Sequence, residues 1–273
     1  MMTRMLARKL DRLERAAEIR RWDGNPLLDE LRADPDRLMS ISGRPPDPWQ
    51  SELLRTDADR MLLLCSRQAG KSTTAAALAL RVALMEPNSP ILILSPTDRQ
   101  SGELFRKILE GYRALGRPVP AVGETLHQIQ LANGSRILSL PGTERTVRGF
   151  SGVALLIIDE ASRVDDALYR AVRPMIAVSK GRLIALSTPF GKRGWFHDAW
   201  HSDEAWRRLR ITANECPRIS KDFLAEEKRA LGDRWYRQEY LCSFEDVIDA
   251  VFSYADIQAA LRDDVQPLFM NGA

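Results

Sequence analysis

Three observations predict an α/β fold of three layers with a mostly parallel central sheet. Short apolar runs at Met61–Leu64, Pro90–Ser95, Val153–Ile158 and Arg182–Pro189 are too short for helices and suit strands buried on both faces. Stretches rich in helix formers, such as Ala75–Met85, separate them, which is the alternation a parallel sheet requires. The length of 273 residues allows one full α/β core with small additions and leaves little room for a second full-sized domain.

Composition narrows the setting without naming a ligand. The formal net charge of +3 is close to neutral, so charge alone does not mark a nucleic-acid binder, and the excess of arginine over lysine is neutral on this point. Cys65, Cys216 and Cys242 are an odd, scattered set without paired metal spacing, as in a reduced protein. No apolar run is long enough to span a bilayer, and the N-terminus lacks a signal-peptide core. A soluble intracellular protein is expected.

Residues Thr3 to Arg21 place apolar side chains at helical spacing among basic ones, an amphipathic helix that either packs on the domain or docks on DNA or a partner. Pro, Gly and Asp dominate from Asp23 to Pro48, which reads as a linker or irregular lead-in. Pro48-Trp49-Gln50 then supplies an aromatic and an amide of the kind that an adenine needs, Gln50 being able both to donate and to accept.

The strand at Met61–Leu64 leads into Cys65-Ser66-Arg67-Gln68-Ala69-Gly70-Lys71-Ser72 and then into a helix. This is the spacing of a P-loop. Successive backbone N–H groups of Ser66, Gln68, Ala69, Gly70 and Thr73 can face a polyphosphate at the positive end of the helix. Lys71 would reach the β- and γ-phosphates and the Ser72 hydroxyl would ligate Mg²⁺. One position departs from the pattern, because Cys65 stands where the first glycine is usual.

Further along, Ser95-Pro96-Thr97-Asp98 caps a helix over Arg99–Leu115, and Gln128–Leu140 reads as a hairpin turning at Asn133-Gly134. Arg145 and Arg148 lie in a glycine-flanked loop, open to DNA, to a γ-phosphate, or simply to solvent. The strand Val153–Ile158 ends in Asp159-Glu160, the Walker B arrangement, with Asp159 holding Mg²⁺ and Glu160 activating the attacking water. A helix over Val164–Val178 is expected to end or kink at Pro174. The strand Arg182–Pro189 should lie between the P-loop and Walker B strands, placing Ser187 and Thr188 near a γ-phosphate. The basic loop Phe190–Gly194 after it is expected to move with nucleotide state. His197 and His201 stand four apart, yet no third metal ligand is convincing, and a surface helix is the simpler reading. After a strand over Trp206–Ile211, Ser220 caps a helix closing at Gly232, and a second helix runs from Asp233 to Cys242; together they form a small lid.

As a set, these motifs resemble the ATPase domain of a tailed-bacteriophage terminase large subunit, over about Pro48 to Phe252. The residues carrying the resemblance are Pro48-Trp49-Gln50, the Walker A run Ser66–Ser72, Leu155–Ala161, Ser187-Thr188-Pro189 with Gly191 and Gly194, and Gln238–Phe244. The resemblance implies an ASCE-type P-loop NTPase using ATP and Mg²⁺, with Gln50 near the adenine and Arg67 reaching the γ-phosphate. It also implies that Ser187-Thr188-Pro189 couples hydrolysis to movement of double-stranded DNA into a procapsid. Implied partners are the portal protein, the terminase small subunit and further copies in a ring, in the cytoplasm of an infected or lysogenic bacterial host.

The family's RNase H-like nuclease domain is not expected here, since about thirty residues follow Phe244 and their aspartates (Asp246, Asp249, Asp256, Asp263 and Asp264) lie in a polar, helix-like stretch. The expected organisation is therefore 1–47 basic helix and linker, 48–215 ATPase core, 216–245 helical lid and 246–273 connector. Rival readings are a superfamily 2 helicase-like ATPase, for which the chain after Pro189 is too short to hold a second RecA-like domain, and a non-catalytic nucleotide-gated assembly subunit, which would not require Glu160. A DNA-binding adaptor leaves the phosphate loop unexplained.

Overall fold

The computed structural model describes residues 25–142, 147, 149–246 and 259–260. The N-terminal basic helix, Arg145, Arg148 and most of the 246–273 connector lie outside these residues.

In chain order the elements are α1 (Pro26–Ala33), α2 (Arg37–Ser40), α3 (Pro48–Arg55), β1 (Arg60–Cys65), α4 (Lys71–Met85), β2 (Pro90–Ser95), α5 (Asp98–Ala114), β3 (Ala121–Glu124), β4 (Gln128–Leu131), β5 (Arg136–Pro141), β6 (Leu155–Asp159), α6 (Asp166–Val172), β7 (Arg182–Ser187), α7 (Gly194–His201), β8 (Arg207–Ile211) and α8 (Lys221–Leu241). The strands form one eight-stranded sheet in the order β3-β4-β5-β2-β6-β7-β1-β8. From β5 to β8 every neighbouring pair is parallel; β3 and β4 run antiparallel to their neighbours. As the sequence predicts, β7 separates the strand before the phosphate loop from the strand carrying Asp159-Glu160.

Alternation within each strand builds the layers. Leu63, Ile91, Ile93, Leu155, Ile157 and Ile184 face one core with α1 to α5, while Leu62, Leu92, Leu94, Leu156, Ile158 and Ala185 face the other with α6 and α7. Helix α4 is buried nearly all round, and its alanines at 75, 76, 77, 79 and 83 let it lie close to the sheet. Register then aligns the working ends of the strands: Leu64 of β1 lies opposite Ser187 of β7, and Asp159 of β6 opposite Leu186.

Several elements differ from expectation for visible reasons. The expected lead-in from Asp23 to Pro48 is not irregular over its described residues, which begin at Asn25. Asn25 caps α1 by accepting from the Leu27 N–H, with Pro26 at the first helical position, and Leu28, Leu31, Leu38 and Met39 join the main core. Strand β3 carries no apolar signal because all four of its residues are exposed. Helix α6 begins at Asp166 and passes into a 3₁₀ turn, Arg173–Ile176, at Pro174. The two lid helices meet without a loop: α8 runs through Gly232, whose φ of 77° breaks the helical geometry at the predicted position. The hairpin turn holds as predicted, with Gly134 at φ 84°.

Candidate functional site

The loop between β1 and α4 is anchored before it turns. Cys65 remains in the strand, pairs in register with Ile211, and the Ser66 N–H donates to the Ile211 carbonyl at 2.8 Å. The left-handed conformations fall at Gln68 (φ 60°) and Gly70 (φ 95°), so an extended cysteine replaces the usual first glycine without strain. At Gly70 the need for glycine is strict. A Cβ there would come within 2.8 Å of Gln50 Nε2 and 3.3 Å of Arg218 Nη2.

Lys71 is buried, and its Nζ donates to the Ser66 carbonyl at 3.1 Å, curled over the loop its charge would serve. Ser72 Oγ donates to Asp159 Oδ2 at 3.1 Å, across the gap from β1–α4 to β6. Asp159 is 4 % exposed. Burial, followed by the charge of Glu160, pushes its carboxyl up to about 6, against the opposing pull of Lys71 and the Ser72 hydrogen bond. A buried carboxylate held above its ordinary range beside a serine hydroxyl is a donor set of hard oxygens, the chemistry that suits Mg²⁺. Among the described residues no cluster of three or more His, Cys, Asp or Glu is arranged to hold a metal.

Glu160 follows in a left-handed conformation, φ 50° and ψ 44°, a sparsely populated state for a non-glycine residue. Its carboxylate lies 3.9 Å from Arg163 Nε, and with Ser72, Asp159, Thr97, Arg99 and Lys107 it lines a cavity of about 650 Å³ at the carboxyl edge of the sheet. The 3₁₀ turn after it is tied to β7: the Ser162 N–H donates to Ser187 Oγ at 3.1 Å, the two hydroxyls lie 2.6 Å apart, and Ser162 Oγ donates to the Thr188 carbonyl at 2.6 Å. Ser187 and Thr188 thus meet the Glu160 turn through Ser162. Beyond them Phe190 lies under the Arg163 guanidinium at 4.1 Å.

Other predicted residues sit differently from expectation. Gln50 is buried, and both ends of its amide are used within the chain: Oε1 accepts from the Asp47 N–H and Nε2 donates to Thr74 Oγ1, each at 2.8 Å. It fastens α3 to α4. Trp49 is buried in the core rather than presenting a stacking face. The Arg67 side chain, 66 % exposed, turns toward Glu239 of α8 at 3.7 Å, while its N–H donates to the Glu239 carbonyl at 2.8 Å. His197 is buried against Phe244, so α7 is not simply a surface helix. Two contributors escaped sequence reading: Ser162, next but one to Glu160, and Arg218, whose Nη1 donates to Asp47 Oδ1 at 2.7 Å and Nη2 to the Ala69 carbonyl at 3.0 Å. Arg218 stands in no recognisable motif, 149 positions from Ala69.

The sheet order, the glycine-dependent loop and the strand-end carboxylates define an α/β domain of the ASCE P-loop type. The family profile described as "Terminase large subunit, T4likevirus-type, N-terminal" matches residues 62–259, and the chain belongs to this family. Among curated proteins it is 24 % identical to the terminase large subunit of Thermus virus P23-45, over 81 % of this chain and 53 % of that protein. It is 26 % identical to the terminase large subunit of Escherichia phage T5, over 68 % of this chain and 44 % of that protein. The chain spans about half the length of these relatives. Among solved structures, the large terminase ATPase domain of Thermus phage P74-26, in an arginine-variant form, superposes with a TM-score of 0.69 at 19 % identity, covering 77 % of this chain and 98 % of that one. That likeness shows the fold. No described helix is long and apolar enough to cross a membrane.

Proposed function

We propose that this chain is the ATP-hydrolysing motor domain of a phage terminase large subunit, driving double-stranded DNA into a procapsid. The observation that carries the reading is the convergence at one sheet edge of Lys71, the Ser72–Asp159 pair at 3.1 Å and Glu160. Family membership supplies the setting.

In this reading, backbone N–H groups of Ser66 to Thr73 cradle the phosphates, and Lys71 Nζ exchanges the Ser66 carbonyl for phosphate oxygens. Ser72 Oγ and Asp159 would hold Mg²⁺, which when bound supplies Lewis-acid polarisation and charge neutralisation. Glu160 takes the proton of the attacking water on its carboxylate. Because Ser162 joins the Glu160 turn to Ser187 and Thr188, a shift of that turn is passed to β7 and onward through Phe190, the coupling role assigned to Ser187-Thr188-Pro189. The partners that fit are double-stranded DNA held through its phosphates, a portal protein, a terminase small subunit and further copies of the chain in a ring, in a bacterial host cell. DNA contact through phosphates predicts affinity that falls steeply with salt and ignores sequence.

The test is ATP turnover over a range of protein concentrations, with and without double-stranded DNA, beside Lys71→Ala. Turnover rising faster than linearly with protein and lost in the variant is expected of a motor completed by its neighbours. ATP binding without turnover at any concentration contradicts it and favours a nucleotide-gated subunit.

A further inference from the structure

The side of the phosphate loop opposite the carboxylates holds a second cavity, of about 430 Å³, bounded by Met39 and Pro45 on its apolar side and by Arg44, Asp47, Gln50, Gly70 and Arg218 on its polar side, Arg44 being drawn toward Glu110 at 3.8 Å. A continuous set of hydrogen bonds frames it. Arg218 reaches Asp47 Oδ1 and the Ala69 carbonyl, the Asp47 N–H reaches Gln50 Oε1, Gln50 Nε2 reaches Thr74 Oγ1, and Thr74 Oγ1 reaches the Gly70 carbonyl at 3.0 Å. Within that frame Gln50 is 1 % exposed and makes one hydrogen bond at each end of its amide. Arg218 is far more open: two of its five guanidinium N–H groups are bound, the side chain is 48 % exposed, and the planar group lines the cavity.

We infer that Arg218 is the residue that binds the nucleoside of a bound nucleoside triphosphate, by packing its guanidinium plane against the base, while Gln50 is a positioning residue that holds the frame. The inference rests on the nucleotide-site reading above. An arginine suits this place because its face is planar and weakly hydrated, and a lysine offers only a point charge. Its station just before Ser220, the cap of α8, also joins the base side of the site to the lid.

The probes are Mg-ATP and Mg-tripolyphosphate, which carries the phosphates without a base, with binding measured by calorimetry on the full chain. Arg218→Ala should weaken Mg-ATP about tenfold, the equivalent of about 1.4 kcal/mol, and leave tripolyphosphate within about twofold. Arg218→Lys should not restore ATP affinity. Equal weakening of both ligands would show that Arg218 merely supports the loop through Ala69, and unchanged ATP affinity would show no base contact; either overturns the inference. Lys71→Ala separates the two levels of the proposal, since it should weaken both probes. Wild-type chain that binds neither probe, or Lys71→Ala that leaves both unchanged, removes the nucleotide-site reading and this inference with it.

Discussion

The two sides of the phosphate loop are built on opposite principles. On the base side, Asp47, Gln50, Thr74 and Arg218 hydrogen-bond one another across three separate segments of chain, with Asp47 Oδ2 left as a buried oxygen without a partner. On the carboxylate side, Asp159 is buried with its carboxyl pushed up to about 6, and Glu160 beside it holds a left-handed backbone. One side spends its polar groups on rigidity; the other keeps charge in an unfavourable place. The difference teaches where catalysis can draw on stored free energy, because the carboxylate side, with two neighbouring acids and one of them raised by burial, gains by receiving a cation.

The largest expected effect breaks the carboxylate side alone. Glu160→Gln should lower ATP turnover by at least about a hundredfold, the usual scale for a general base, while the base side continues to hold nucleotide. Next, Gln50→Ala should destabilise the fold by roughly 1–3 kcal/mol, because the buried Asp47 N–H loses its acceptor; urea melts would measure it, and a neutral result would mean that the frame is not rigid. Gly70→Ala should cost roughly 1–2 kcal/mol from the left-handed backbone alone, with added cost from the 2.8 Å approach to Gln50 Nε2.

The comparison is sharpened by a change of opposite sign. The folded state raises the Asp159 carboxyl above its ordinary value, so it binds that proton more tightly than the unfolded chain does. Stability from this group is therefore present at low pH and lost as pH rises through about 4 to 6. Metal-free Asp159→Asn should melt higher than wild type at neutral pH, at roughly 2–4 °C per kcal/mol for a domain of this size, although its turnover falls. A lower melting temperature would show that the buried charge is not a cost.

The smallest effect lies at the end of the lid. Hydrogen bonds from Arg237, both at 2.9 Å, hold the Glu245 carboxyl down at about 2. Its contribution is present above the ordinary glutamate range and is lost as pH falls toward 2. Arg237→Ala should flatten that acid-limb slope and change neutral-pH stability by less than about 1 kcal/mol.

The sequence reveals the carboxylate side better than the base side, and there is a physical reason. Asp159 and Glu160 stand at the end of an apolar strand, and Lys71 and Ser72 begin a helix, so the roles proposed for them rest on local position along the chain. Even the departure at Cys65 is harmless once the left-handed turns are seen to fall at Gln68 and Gly70. The base side is assembled from long-range contacts, and nothing local marks Arg218 or reveals that the Gln50 amide is already occupied at both ends. The short helices α1 and α2 lie in a stretch whose proline and aspartate suggest a linker: Pro26 here starts α1 behind the Asn25 cap, and Asp36 stands before α2 without a capping hydrogen bond.

The proposed mechanism divides labour between neighbouring carboxylates, with Asp159 belonging to the cation and Glu160 to water. Its most direct test is to measure, on the same preparations of wild type and Glu160→Gln, the affinity for Mg-ATP and the rate of hydrolysis in a single turnover. Affinity within a few-fold of wild type, together with hydrolysis slowed by at least about a hundredfold, is the predicted result. Near-normal hydrolysis in Glu160→Gln would contradict it.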